Sequence, residues 1–361
     1  MINSYRVHNF LNVEIEEGTL PLHVNYEHYF SQMKVNSRSA SVDYSIKEFS
    51  TFELPRTHFR NGDYNLGFDG GVCFPFERYA VTYDGHCLTE YTDAANRATN
   101  MWLQFLLLAQ GKSLVHSAGI EIAGRNYIFP AFGGAGKSLL VGALRHRSDF
   151  KLFGDDFVIV DDSSTMHAYL TDISMYHYHL KFFPELTGSP YHQYLERYNT
   201  AERFYSSCPG GKVLRRVASI ATRRARKKRI FPGVNWNLDY VKVPVSCVIP
   251  PSHLGKSAPL DAAIYLSRTT DTDFRIERIS AEDLVNRIRS VLAVEFRYSS
   301  AYLSFMGAFG CCNPSALSRR EEEILTKCFD GLDCYHVIVP QSLPAREYVE
   351  RMTGFLESMG C

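Results

Sequence analysis

Apolar and polar positions change period several times along this chain, and those changes outline its elements. Up to about residue 92, short apolar or aromatic runs (Tyr26 to Phe30, Phe49 to Leu54, Tyr79 to Tyr83) alternate with turn signals at Asn61-Gly62-Asp63, Asp69-Gly70-Gly71 and Asp84-Gly85. That pattern predicts a β-rich region. Within it, Tyr83-Asp84-Gly85-His86 joins Tyr79-Ala80-Val81 to Cys87-Leu88 and predicts a hairpin. The histidines between His8 and His86 are scattered without catalytic spacing and read as structural or surface residues. From about Ala94 the period lengthens. Trp102, Phe105, Leu106 and Ala109 take the spacing of a helix with one buried face, ended by Gly111. Leu114 to Ile122 and Asn126 to Phe129 then predict a hairpin turned at Ala123-Gly124-Arg125.

Helical spacing returns at Leu139, Leu140, Ala143 and Leu144 and breaks at Ser148-Asp149. Apolar runs Lys151-Leu152-Phe153 and Phe157-Val158-Ile159-Val160 flank Gly154-Asp155-Asp156. Residues 166 to about 210 mix aromatic and polar positions with few helix signals, so an irregular region is expected. Lys212 to Arg229 holds nine basic residues and no acidic one. Strands are predicted at Tyr240 to Val248 and at Ala262 to Ser267. Ser280 with Asp283 predicts a capped helix burying Leu284, Val285, Ile288, Val291 and Leu292. The tail predicts a helix near Arg319 to Phe329, a strand Tyr335 to Val339, and a last helix from Ala345 to about Met359.

Composition narrows the class. With 361 residues, 45% of them hydrophobic and 13% aromatic, the chain can bury a sizeable core and is no disordered polymer. Lys+Arg and Asp+Glu both number 39, so any attraction to nucleic acid or membrane has to be local. Met1 to Gly18 lacks the basic and apolar regions of a signal peptide, and the apolar run Trp102 to Ala109 is too short for a bilayer. Nine cysteines without C-x-x-C spacing, and without an export signal, favour a reduced cytoplasm and argue against structural zinc.

The candidate chemistry lies in one stretch. Phe132-Gly133-Gly134-Ala135-Gly136-Lys137-Ser138 follows an apolar run and opens a helical one. Backbone N–H groups of Gly133, Gly134, Ala135, Gly136, Lys137, Ser138 and Leu139 can cradle phosphates in such a loop. Lys137 can neutralise β/γ-phosphate charge, and the Ser138 hydroxyl can ligate Mg²⁺. The usual G-x-x-x-x-G-K-[ST] pattern has Ala131 in place of its leading glycine; a plain glycine-rich turn is the alternative. Asp155-Asp156, eighteen and nineteen residues past Lys137, can divide the labour of holding Mg²⁺ and taking a proton from a hydroxyl. A solvated turn is the plainer reading there, and the preferred one for Asp161-Asp162. His116, twenty-one residues before Lys137, is either a core histidine or a group that contacts the γ-phosphate or steers an aspartate.

Taken together, His116, the loop ending Gly136-Lys137-Ser138 and the Asp155-Asp156 pair resemble the catalytic domain of the HPr kinase/phosphorylase family, which shares its core with phosphoenolpyruvate carboxykinases. The likeness is close over 114–160 and more diffuse to about 300. It implies an α/β fold with a phosphoenolpyruvate-carboxykinase-like P-loop core and mixed sheet over 113–300. A β-rich N-terminal domain over 1–112, serving substrate recognition or as scaffold, precedes it, and an α/β extension over 301–361 packs on it. It implies ATP and Mg²⁺, with Lys137 and Ser138 on phosphates and metal, Asp155 as general base, Asp156 as metal partner and His116 at the phosphate site. The implied acceptor is a hydroxyl, foremost a serine of a peptide or protein, and HPr kinases assemble as oligomers. Ala131 and Phe132-Gly133 depart from the family's loop, and its phosphorolysis signature has no counterpart. A divergent relative of the kind that accompanies peptide-modifying gene sets is therefore expected.

Two further contacts are candidates. Lys181 matches the lysine that related kinases carry after their Asp-Asp strands, with a surface lysine as the alternative. Arg226, in the basic run Arg223 to Arg229, suits substrate or nucleotide phosphates, with a solvated loop as the alternative and nucleic acid least favoured. A nucleotide-binding regulatory module, an NTPase hydrolysing to water and a kinase of a small hydroxylated metabolite are the competing functions.

Overall fold

The computed structural model describes residues 2–16, 18, 22–56, 59–61, 65–93, 98–207 and 240–360, in which strands and helices mix throughout. The chain divides into a larger unit, Met1–Thr171 with Ser252–Cys361, and a smaller one, Asp172–Pro251. The boundaries expected at 112 and 300 both fall inside the larger unit. Gly62 and Asp63 of one expected turn, positions 94–97 of one expected helix, and the basic run Lys212 to Arg229 with Arg226 lie outside the described residues.

The first part of the larger unit is one sheet. Its strands are β1 (Ile2–Val7), β2 (Leu11–Glu16), β3 (Lys34–Val35), β4 (Tyr44–Glu48), β5 (Phe59–Asn61), β6 (Asn65–Phe68), β7 (Gly71–Phe74), β8 (Tyr79–Tyr83) and β9 (Leu88–Thr92). Among the described residues they pair in the order β3-β1-β2-β4-β9-β8-β7-β6-β5. The expected hairpin is β8–β9, with Tyr83 opposite Leu88. Asp84 closes it, its Oδ1 accepting from the N–H groups of His86 (2.8 Å) and Cys87 (2.7 Å). Two expectations fail here. Tyr26 to Phe30 is not a strand; it ends the helix α1 (Leu22–Phe30), whose Leu22, Tyr26 and Phe30 are fully buried at four-residue spacing. Phe49 to Leu54 is a single 3₁₀ turn, Phe49–Thr51, followed by irregular backbone. Its aromatics pack on each other and on Phe68 instead of alternating across a sheet.

Glu90 on β9 is fully buried in this sheet, accepting hydrogen bonds from the hydroxyls of Tyr44 and Tyr26 (3.2 Å for the latter). Burial pushes its carboxyl up to about 7, only partly offset by hydrogen bonds from Tyr44, Tyr26 and Tyr79. A carboxyl that keeps its proton longer in the folded chain stabilises it fully below the ordinary glutamate value and loses that contribution as pH rises to about 7. Glu90→Gln, a permanently neutral mimic, is therefore expected to gain stability relative to the parent as pH rises from about 5 to about 7. Urea titrations across that range should show this widening gap; a constant gap would show that Glu90 is ionised throughout.

The rest of the larger unit begins with α2 (Thr99–Ala109), β10 (Lys112–Val115), β11 (Ser117–Ile122), β12 (Arg125–Pro130), α3 (Lys137–Leu144), β13 (Lys151–Gly154), β14 (Val158–Asp161) and β15 (Thr165–His167). The smaller unit interposes β16 (Ile173–Tyr176), α4 (Pro190–Ser207) and β17 (Tyr240–Val243). The larger unit resumes with β18 (Ser257–Pro259), β19 (Ala262–Thr269), β20 (Arg275–Arg278), α5 (Ala281–Glu295), α6 (Ser300–Ala308), α7 (Pro314–Phe329), β21 (Asp333–Pro340) and α8 (Ala345–Gly360).

α2 is buried on every side from Met101 to Leu108, not on the one face expected. Its polar Gln104 is fully engaged, donating to Ser113 Oγ and Glu321 Oε2 and accepting from Leu114 N. α4 corrects the expectation of an irregular region. Ser189 Oγ accepts from His192 N at its start and Pro190 takes the first helical position, a start signal overlooked amid the aromatics. The strand expected over Tyr240 to Val248 stops at Val243, before Pro244, and a 3₁₀ turn follows. α5 forms as expected, with Ser280 Oγ accepting from Asp283 N at 3.0 Å and Leu284, Val285, Ile288, Val291 and Leu292 all buried. Among the described residues no helix is long and apolar enough to cross a membrane.

Two sheets share one corner. A four-stranded sheet runs β10-β14-β15-β18 and a six-stranded one β13-β11-β12-β19-β21-β20, with β12, β19 and β21 mutually parallel. The run Leu114 to Ile122, expected as one strand, breaks at His116: β10 pairs with β14 in the first sheet, β11 with β12 and β13 in the second. The chain makes the same crossing at Asp155 to Phe157, from β13 into β14. Ser117 N donates to Asp156 O at 3.1 Å and ties the two crossings together.

Candidate functional site

The corner between these sheets holds the residues singled out in the sequence. β12 delivers the chain to the glycine-rich loop. Ala131, where a glycine is usual, keeps the strand geometry: its N–H donates to His116 O at 3.2 Å, it bridges Leu266, and its φ is not positive. No glycine is required there. Glycine is required at Gly136, whose φ is +113° and where a Cβ would stand 2.9 Å from the Tyr348 ring. Leu140 N–H, bonded to Gly136 O at 3.1 Å, takes the first bond of α3. The N–H groups of Lys137, Ser138 and Leu139 precede it and have no intrahelical acceptor, so the helix start faces the loop with positive dipole. Gly133 and Gly134 are exposed with open space around them, Ala135 is buried beneath, and Phe132 stands exposed at the loop's edge.

Lys137 is 7% exposed, its Nζ donating to Ala131 O (3.0 Å) and Phe132 O (3.3 Å). Burial lowers its ammonium below the usual lysine range, opposed by the negative charges of Asp156, Asp155 and Glu295. Ser138 Oγ donates to Asp155 Oδ2 at 2.8 Å. His116 Nε2 lies 3.1 Å from Asp156 Oδ1, and its Nδ1 lies 3.8 Å from Glu295 Oε1. The turn presenting both aspartates depends on Gly154, where a Cβ would fall 2.2 Å from Phe157 O. Phe157 packs its ring 5.2 Å from the His116 ring and stacks on Phe296.

His116, Lys137, Ser138, Asp155, Asp156 and the loop from Gly133 to Leu139 thus converge. Lys181 belongs to the smaller unit, exposed on the 3₁₀ segment His177–Phe182. Two residues were missed. Glu295, at the end of α5, completes the far side of His116; as the last residue of an amphipathic helix it carried no motif. Tyr348, on α8, lies under Gly136, fully buried, and among the described residues its hydroxyl has no hydrogen-bond partner. A buried unpaired hydroxyl costs about 1–3 kcal/mol. Tyr348→Phe is accordingly expected to match or exceed the parent's thermal midpoint; a midpoint several degrees lower would show that the hydroxyl is bonded.

Ser138 and Asp155 offer hard oxygen donors side by side, which suits Mg²⁺, an ion that takes one or two protein ligands and completes its shell with phosphate and water. Among the described residues no group of three or more His, Cys, Asp or Glu side chains is set to hold a metal ion alone. Loop N–H groups and a buried lysine supply a polyphosphate's counter-charge, and Asp156, half-exposed and backed by His116, is placed to accept a proton. A scan of the chain against protein-family models matches none of them, and a search of curated proteins returns no match.

Proposed function

We propose that the chain is an ATP- and Mg²⁺-dependent kinase, a divergent relative of HPr kinase/phosphorylase with a phosphoenolpyruvate-carboxykinase-like P-loop core. It transfers the γ-phosphoryl group to a hydroxyl, foremost a serine of a peptide or protein, in the cytoplasm and as an oligomer. The observation that carries this reading is the pairing at the sheet corner. Each aspartate has its own partner, Ser138 for Asp155 and His116 for Asp156, beside one loop and one buried lysine. A site that only binds nucleotide has no use for a second carboxylate with its own histidine.

These contacts favour the reverse of the roles implied by the family resemblance. Ser138 and Asp155 would hold Mg²⁺, which screens β- and γ-phosphate charge when bound. Asp156, oriented by His116 with Glu295 behind it, takes the proton of the acceptor hydroxyl. The acceptor oxygen bonds to the γ-phosphorus, the bond to the β–γ bridging oxygen breaks, and ADP leaves with that electron pair. Lys137 and the loop N–H groups stabilise the charge on the transferred group.

Incubation with γ-labelled ATP, Mg²⁺ and serine-containing peptides or host extract tests the reading. Label on a hydroxyl acceptor supports it. Free phosphate alone would make the chain an NTPase, and binding without turnover a nucleotide-responsive module; either outcome overturns the kinase reading.

A further inference from the structure

A second constellation lies elsewhere in the larger unit, on the four-stranded sheet. His167 on β15 and Ser257 on β18 are register partners. Ladder bonds fall at Ala168, next to His167, and at Ser164, three positions before it: Ala168 N donates to Lys256 O and Leu260 N to Ser164 O, each at 2.7 Å. The His167–Ser257 pair is therefore the non-hydrogen-bonded kind, in which side chains approach most closely. Ser257 Oγ lies 2.8 Å from His167 Nδ1, and His167 Nε2 lies 2.8 Å from Asp161 Oδ2. Asp161 is fixed in turn: its other oxygen accepts from Ser163 N, Ser163 Oγ and Thr165 N. Burial would raise the Asp161 carboxyl, but hydrogen bonds from Ser163 and His167 prevail and hold it below its ordinary range.

The consequences run in one direction. An ionised Asp161 accepts a hydrogen bond from Nε2–H of the imidazole, which leaves the Nδ1 lone pair facing the Ser257 hydroxyl. Nucleophile, base and base-orienting carboxylate are then in hydrogen-bond sequence, the arrangement by which such sites are recognised whatever their fold. His167 is largely buried while Ser257 is exposed, so the nucleophile is reachable and its base is not washed by water. β18 is the last strand of its sheet among the described residues. In a non-hydrogen-bonded pair the Ser257 N–H points away from β15, toward that open edge, where it can donate to a developing oxyanion. The Phe10 ring lies edge-on to His167 at 4.9 Å and packs against the imidazole.

We propose that Ser257, His167 and Asp161 form an acyl-transfer site that hydrolyses short-chain esters, separate from the phosphate-loop corner and independent of the kinase reading. Ser257 Oγ bonds to the ester carbonyl carbon as its proton passes to His167 Nδ1. The carbon–oxygen bond to the alcohol breaks, and the alcohol departs with that proton. Water, deprotonated by the same nitrogen, then releases the acid and returns a proton to Ser257.

The chain supplies its own control. Ser267 Oγ lies 2.8 Å from His336 Nε2 on β19 and β21, yet among the described residues no carboxylate hydrogen-bonds that imidazole. The full chain should be treated with a fluorophosphonate probe, digested and mapped by mass spectrometry, and assayed with p-nitrophenyl acetate. The expected result is one adduct on Ser257 and none on Ser267, with probe reactivity and ester hydrolysis both lost in Ser257→Ala. His167→Gln and Asp161→Asn should each label at least roughly 10²-fold more slowly while melting cooperatively. No adduct on Ser257, equal labelling of Ser267, or a rate unchanged in a cooperatively folded His167→Gln protein would each overturn the proposal.

Discussion

Lys137→Ala is expected to remove nucleotide turnover, with a loss on the order of 10²–10³-fold or more in kcat/KM. The buried ammonium is the only positive side chain that the described contacts place within the loop, and three carboxylates, Asp156, Asp155 and Glu295, oppose the lowering that burial causes. Its loss has two separable parts. Nucleotide binding weakens because phosphate charge is no longer neutralised, and the loop loosens because Ala131 O and Phe132 O lose their donor. Lys137→Met, which keeps the apolar stem, isolates the first part. Calorimetric titration with ATP and Mg²⁺, alongside thermal melts without nucleotide, measures both. Parent-like turnover in the alanine variant would remove the loop from the chemistry altogether.

The aspartates should separate in the same assay. Asp155→Asn is expected to raise the Mg²⁺ concentration for half-maximal rate by roughly tenfold or more, because Ser138 loses its charged neighbour. Asp156→Asn is expected to leave ATP affinity and Mg²⁺ dependence near those of the parent while slowing transfer by roughly 10²–10⁴-fold. The reverse pattern, with transfer abolished only in Asp155→Asn, would restore the division of labour implied by the family resemblance. Both variants keep the shape of the turn after Gly154, so stability should change little in either.

Where local spacing was enough, the sequence could be read residue by residue. The α5 face of Leu284, Val285, Ile288, Val291 and Leu292 is buried as its period requires, and Ser280 caps it. Strand, loop and helix around Lys137 stand where the glycines and flanking apolar runs put them. Aromatic runs misled, because Tyr26 to Phe30 suits a strand by composition yet buries Tyr26 and Phe30 through a helical period. Long-range features left no local mark. The break of one apolar run at His116 follows from β14 and β12 claiming different halves of it, and no property of Leu114 to Ile122 announces that competition. Glu295 reaches His116 across about 180 positions of sequence, a distance only the fold closes.

The two crossings at His116 and at Asp155 to Phe157 also decide how this molecule can be taken apart. A cut that separates the four-stranded from the six-stranded sheet must pass through both crossings, and so through the residues of the site itself. Neither sheet can be lifted out with the site intact, and a chain split for complementation or permutation has to be opened elsewhere. The exposed β11–β12 turn at Ala123-Gly124 is such a place, since a break there leaves both strands anchored in the six-stranded sheet, β11 against β13 and β12 against β19.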